Sequence, residues 1–265
     1  MSMSSRVVLV TGSSSGIGRE VALSFARLGC RLVIHGTNEE RLEQTSLLCQ
    51  QVSPDKIKPT SVIGDFLDTE RTAKLLIDKT IAAYNRLDVL VNNAGLFKPC
   101  QVESAEAYKN FEQMITINLN SAVCLSYLAI PLLKGTKGNI INISSNLHNK
   151  CFIGAAGYCA SKAALTMFTK SLAVELAPDV RVNSISPGPV ATNMPARSGV
   201  DVDNFRKVVG SSCLTNRVGE PDEVARLVVF LASPESSFIT GSDYIIDGGS
   251  TIKPEGTLMT SQSAT

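Results

Sequence analysis

Two rhythms divide the chain. Short runs of apolar and β-branched residues recur at 7–10, 31–34, 57–63, 87–91, 138–143, 180–185 and 244–247. Runs this short, with turn residues on either side, predict strands buried on both faces. Between them lie longer stretches with apolar positions three and four apart, at 17–28, 39–51, 69–85, 104–133 and 158–177, and another begins at 219. These predict helices with one face on a core. Gly29, Ser53-Pro54 and Pro178 punctuate helix ends, and Asp68 or Thr69 can cap a helix start. Pro59 predicts an irregular start to the third strand. Strands alternating with helices predict an α/β fold with a parallel, doubly wound sheet, whose ligands sit at the carboxyl ends of the strands. Without repeat or linker, residues 1–252 read as a single domain and 253–265 as a flexible polar tail. The stretch 193–217 is the least regular; a short helix near 203–209 is predicted within it, and it is the candidate substrate cover.

Composition narrows the function classes. A chain of 265 residues with 44% hydrophobic and 18% charged residues can bury a large core. A formal net charge of +1 gives no reason to expect a nucleic-acid or membrane partner. The seven cysteines form no Cys-x-x-Cys pair, which speaks against a disulfide framework or a metal cluster. With no signal-like N-terminus and no run of membrane-spanning length recognised, a soluble cytoplasmic protein is expected.

Candidate chemistry gathers where strands end. Thr11-Gly-Ser-Ser-Ser-Gly-Ile-Gly18 joins the first strand to the first helix. Glycines allow close backbone approach there, and a helix N-terminus offers N–H groups and a positive dipole end to a pyrophosphate. The second strand ends in His35-Gly36-Thr37-Asn38, where a dinucleotide places its adenosine ribose. No carboxylate stands at 35–38 to repel a 2′-phosphate, Gly36 leaves room, and Arg19 and Arg41 are candidate cations, so the reading leans to NADP with NAD possible. Asp65, beside Phe66, can accept from an adenine amino group. Asn92-Asn-Ala-Gly95 can hold a cofactor or pin a neighbouring strand, and the rigid Pro187-Gly188 turn suits a flat ring.

Tyr158 and Lys162 lie four apart on a predicted helix, on one face. An ammonium beside a phenol is expected to lower the phenol pKa and give a proton donor or acceptor. Ser145 ends the fifth predicted strand and can bond a carbonyl oxygen. Asn118 sits in an apolar helical context, so its amide either bonds backbone or holds a water.

Together these pieces resemble the short-chain dehydrogenase/reductase family from about Arg6 to Ser250. The resemblance rests on Thr11-Gly-x-x-x-Gly-Ile-Gly18, Asp65, Asn92-Asn-Ala-Gly95, Asn118, Ser145, Tyr158-x-x-x-Lys162, Pro187-Gly188 and Ile246-Asp-Gly-Gly249. It implies a Rossmann-like domain with about seven parallel strands. It also implies a tetrad: Tyr158 as acid/base, Ser145 on the substrate oxygen, Lys162 on the nicotinamide ribose, and Asn118 positioning a relay water. The implied cofactor contacts are Gly12, Ser14, Ser15, Gly16, Ile17, Gly18, Gly36, Thr37, Asn38, Asp65, Phe66, Asn92, Ala94, Gly95, Pro187 and Gly188, with Val190 and Thr192 on the carboxamide. The implied activity is hydride transfer between NADP(H) and a small carbonyl or alcohol, in a homodimer or homotetramer assembled on the helices near 104–133 and 156–177. NAD-dependent alcohol oxidation and a non-catalytic nucleotide-binding scaffold are the alternatives. Three positions depart from the family pattern: His148 stands where many members carry glycine, a proline is absent before Tyr158, and Thr37 replaces a frequent arginine.

Overall fold

The structure, a computed structural model, describes residues 3–194 and 209–253. Seven parallel strands form one sheet: β1 Val7–Val10, β2 Arg31–Gly36, β3 Thr60–Ile63, β4 Val89–Asn92, β5 Asn139–Ile143, β6 Arg181–Pro187 and β7 Asp243–Ile246. Their order across the sheet is β3-β2-β1-β4-β5-β6-β7. The chain reverses direction across the sheet between β1 and β4, which opens the crevice a dinucleotide fold uses.

Alternation along β1 shows why this central strand is apolar throughout. Val8 and Val10 pack in one core with α1 Gly16–Arg27 and the late helix α7 Pro221–Ala232. Val7 and Leu9 face the other core, with α3 Thr69–Tyr84, α5 Ser121–Thr136 and α6 Ala156–Leu176. Helices on both faces exclude water from both, and each fully buried Leu or Val contributes about 1.5–3 kcal/mol. The remaining helices are α2 Glu39–Val52, capped by the Asn38 side chain on Arg41 N at 2.8 Å, and α4 Ala107–Ile115.

Several boundaries differ from expectation. The third strand starts at Thr60 rather than 57, because Pro59 has no N–H to donate and Lys56 turns left-handed at φ 54°. The long helix near 104–133 is composite: α4, a π turn at Thr116–Asn120, then α5. Spanning Ala107–Thr136, it is 30 residues long with mean hydropathy 1.5 in its most apolar window. By length and composition it is therefore long and apolar enough to cross a membrane, which the sequence reading did not recognise; in this fold it packs along α3 and α6. The short helix expected at 203–209, most of the substrate cover and the tail beyond 253 lie outside the described residues.

A polar layer crosses the apolar one. Asn92 Nδ2 donates to Asn142 Oδ1 at 2.8 Å and Ser126 Oγ at 3.1 Å, and Asn142 Nδ2 donates to Thr169 Oγ1 at 2.8 Å. Every member is buried and bonded, so the layer fixes the register of β4, β5, α5 and α6 where an apolar contact would allow sliding.

Candidate active site

The glycine loop is held from three sides. Ser13 exchanges backbone and side-chain bonds with His35, at 2.8 Å from Ser13 N to His35 O and 2.9 Å from His35 N to Ser13 Oγ. Thr11 Oγ1 accepts from the N–H groups of Asn93 (2.9 Å) and Ala94 (3.0 Å). Arg19 Nη2 donates to Ser14 O at 2.8 Å, and its Nε donates to Thr45 Oγ1 on α2. Gly12 and Gly16 take φ of +65° and +56°, a region a side chain strains. The first turn of α1 has no acidic residue and no side-chain cap. A loop shaped by glycines in front of such a helix start fits a pyrophosphate.

The sequence places His35 at a strand end, beside the adenosine ribose. It is buried instead, with Nδ1 accepting from Gly12 N (3.3 Å) and Nε2 donating to Gly64 O (3.1 Å), its ring 4.8 Å from that of Phe66. This fixes the neutral tautomer with the proton on Nε2. Burial pushes its pKa down from 6.5 to about 4. The folded state binds its proton less readily than the unfolded chain, so stability is lost as pH falls from 6.5 towards 4. The shift corresponds to roughly 3 kcal/mol. Denaturant titrations at pH 7 and pH 4.5 are expected to show that loss in the wild type and a flatter dependence in His35→Asn; equal slopes would clear His35 of the effect.

Other residues singled out in the sequence take different places. Gly36 leaves no open room: an added Cβ would meet Ser14 Cβ at 2.9 Å, so the missing side chain accommodates the glycine loop. Phe66 is buried against His35 rather than facing the crevice. The Asn92 amide is taken by the polar layer, and the neighbouring Asn93 pins the loop through Thr11 O (2.8 Å) and Gly12 O (3.2 Å). Arg19 is engaged in holding the loop to α2 and not in an exposed cationic patch. Thr37 is exposed at the end of β2, and Asn38 keeps its Nδ2 protons as donors. Asp65 is exposed, with Oδ1 accepting from Leu67 N at 2.9 Å. Thr192 lies across from Gly16, 3.1 Å from where its Cβ would stand. Pro187 ends β6, Gly188 N donates to Ile246 O, and buried Val190 bridges to Gly219. Ser15, Ile17 and Gly18 open α1, and Ala94 and Gly95 follow β4 in the same crevice.

Ser145, Tyr158 and Lys162 converge beside this crevice. Tyr158 is buried, close to the Ser145 side chain, and edge-on to Phe97 with ring centroids 5.0 Å apart. Lys162 Nζ donates to Ile143 O at 2.7 Å and stands 5.8 Å from the Tyr158 ring centroid. The expectation that the lysine depresses the tyrosine is not met. Burial dominates and pushes Tyr158 up to about 12, against the lowering effect of the Ser145 side chain, while burial lowers Lys162 to about 8. An ammonium has three protons, and the one bond to Ile143 O leaves donors for a diol such as ribose. The buried lysine therefore fits a nicotinamide ribose.

Asn118 occupies the π turn, a distortion that turns its side chain into the interior. Its Oδ1 accepts from Leu96 N (2.7 Å), and Nδ2 donates to Leu96 O (3.0 Å) and Ser161 Oγ (3.0 Å). The amide thus bonds backbone, one of the two expectations for it, and ties the 95–97 loop to α6. Sequence reasoning gave no role to Ser13 or Ser161; a buried serine looks like any small residue until its partners are known. Among the described residues no group of three His, Cys, Asp or Glu side chains is placed to hold a metal.

A parallel sheet with this strand order, a glycine loop at its switch point and a Ser-Tyr-Lys cluster beside it define a dinucleotide-binding oxidoreductase. Residues 12–251 match the enoyl-(acyl carrier protein) reductase family profile. A 3-oxoacyl-(acyl-carrier-protein) reductase from Thermotoga maritima is 32% identical, covering 94% of this chain and 99% of its own. A cyclopentanol dehydrogenase from a Comamonas species is 36% identical over 93% of this chain and 97% of its own. Among solved structures, a short-chain dehydrogenase/reductase of unknown function from Caenorhabditis elegans, crystallised with cofactor, superposes with a TM-score of 0.89. It is 31% identical, and the match covers 96% of this chain and 98% of that one. The chain belongs to the short-chain dehydrogenase/reductase family, whose members bind NAD(P) and act on small molecules.

Proposed function

We propose that this protein is an NADP(H)-dependent reductase of small carbonyl compounds. The observation that carries the reading is the convergence of Ser145, the buried Tyr158 and Lys162 beside the glycine-loop crevice, with burial holding the phenolic proton on Tyr158. A group that holds a proton there is suited to give it to an oxygen gaining charge, as in carbonyl reduction. The nicotinamide supplies the hydride when bound. Ser145 Oγ bonds the carbonyl oxygen and orients it; Tyr158 passes its proton to that oxygen, giving the alcohol. Lys162 holds the ribose, and its ammonium, 5.8 Å from the Tyr158 ring centroid, stabilises the phenolate left on Tyr158 until solvent returns the proton. Asn118 acts by position, through Leu96 and Ser161.

The absence of a carboxylate at 35–38, with Thr37 exposed and Asn38 offering donors, supports the 2′-phosphorylated cofactor. Glu39 and Glu40 in the first turn of α2 work against it, so the preference rests on how close each lies. Fluorescence titration with NADPH and NADH decides: at least about ten-fold tighter NADPH binding is expected, a difference of about 1.4 kcal/mol. Tighter NADH binding would move the reading to an NAD-dependent alcohol dehydrogenase. Tyr127 and Leu128 on α5 and Met167 and Val174 on α6 are exposed and apolar, which supports a homo-oligomer assembled on these helices, and sedimentation reports it directly.

A further inference from the structure

His148 has a place the reaction above does not use. It closes a single 3-10 turn, Asn146–His148, that begins at Ser145. Its Nδ1 lies 2.7 Å from Ser145 O, and a carbonyl only accepts, so Nδ1 carries the proton. On its other side, Nε2 lies 3.4 Å from Asp243 Oδ2, a contact that attracts when the ring carries both protons. Both side chains are nearly buried, at 14% and 11% exposed, and this separates His148 from a loop residue facing water. Asp243 is itself fixed: Oδ1 accepts from Ser184 Oγ at 2.6 Å and Ser186 Oγ at 2.7 Å, both on β6.

The neighbours of Ser145 are held by separate means. Ser144 Oγ bonds Lys162 O at 3.1 Å, and Asn146 Nδ2 donates to Ser250 Oγ at 2.9 Å. The Ser145 peptide is held by the His148 backbone N–H at 3.0 Å and by the ring. Its hydroxyl accepts from Leu147 N at 3.2 Å, within the same turn, so tilting the turn redirects Oγ. We infer that the His148 side chain is a clamp, holding the Ser145 peptide through Nδ1 and so positioning Ser145 Oγ for the carbonyl oxygen. The inference rests on the reductase reading for its catalytic consequence, and on geometry alone for the clamp.

Three variants test it. Asparagine places Nδ2 close to where Nδ1 stands and keeps the donor to Ser145 O; glutamine reaches towards Asp243 and loses that donor. His148→Ala is expected to lower kcat about ten-fold, with NADPH affinity within about two-fold of wild type. It is also expected to speed amide hydrogen exchange across residues 144–150. His148→Asn is expected to recover most of the kcat and the exchange protection, and His148→Gln neither. Unchanged exchange in His148→Ala, or equal losses in the alanine and asparagine variants, would overturn the clamp. Wild-type protein that turns over no carbonyl would overturn the reductase reading alone, and the exchange comparison would still decide on the clamp.

Discussion

Tyr158→Phe is expected to lower carbonyl turnover by about a thousand-fold while leaving NADPH affinity within about two-fold. The substitution removes one oxygen and little else. The ring keeps its burial and its edge contact with Phe97, and α6 keeps the Ser161 bonds to Tyr158 O and Asn118. With fold and cofactor site intact, lost turnover isolates the proton itself. Steady-state rates, a thermal melt and a nucleotide titration on the same preparation separate these effects, and a variant that still turns over at a tenth of the wild-type rate would remove Tyr158 from the role. The pH profile gives a second reading. Tyr158, at about 12, stays protonated through neutral pH, whereas Lys162, lowered to about 8 by burial, loses its charge as pH rises past that value. Reduction should therefore decline on the alkaline side with the lysine, well before the tyrosine titrates.

What was legible in the sequence follows from how locally each feature is encoded. The β-branched runs, glycine spacing and helix stops each depend on a few adjacent residues, and the sheet and the Ser145-Tyr158-Lys162 cluster emerged where those patterns put them. Partners far apart in the chain were not legible. His35 reads as a strand end until Gly12 and Gly64 meet its two nitrogens from 23 and 29 residues away. Asn92 reads equally as a cofactor ligand or a pin for the neighbouring strand until Asn142, 50 residues on, takes its amide and makes it the pin. The sign of the Tyr158 shift was also hidden. Four residues of helix put a lysine on the same face, yet how deeply both groups are buried depends on the whole fold, and burial dominates the shift of each. Likewise, Gly36 as open space was a local guess that Ser14, approaching from another loop, overturned.

Two glycine-to-alanine changes should have opposite signs, and the contrast tests the close approach on which the nucleotide crevice depends. At Gly18, the third residue of α1, an added Cβ would stand 2.4 Å from Asn93 Nδ2 and 2.5 Å from Gly12 O. Neither can yield freely: Asn93 Nδ2 holds Thr11 O and Gly12 O, and Gly12 O is backbone of the glycine loop. Alanine favours a helix over glycine by about 1 kcal/mol. Overpacking against a fixed backbone costs about 1–3 kcal/mol and displaces the loop N–H groups as well. The clash therefore wins: Gly18→Ala is expected to destabilise the protein and weaken NADPH binding about ten-fold or more. At Gly135, near the end of α5, an added Cβ meets nothing within 4 Å. There the propensity and the reduced freedom of the unfolded chain act alone, and Gly135→Ala is expected to stabilise by up to about 1 kcal/mol with unchanged nucleotide affinity. Denaturant midpoints and nucleotide titrations on both variants measure the two signs. If Gly18→Ala followed Gly135→Ala, α1 would have room to spare against the loop, and the tight strand–helix turn would not be what shapes the cofactor site.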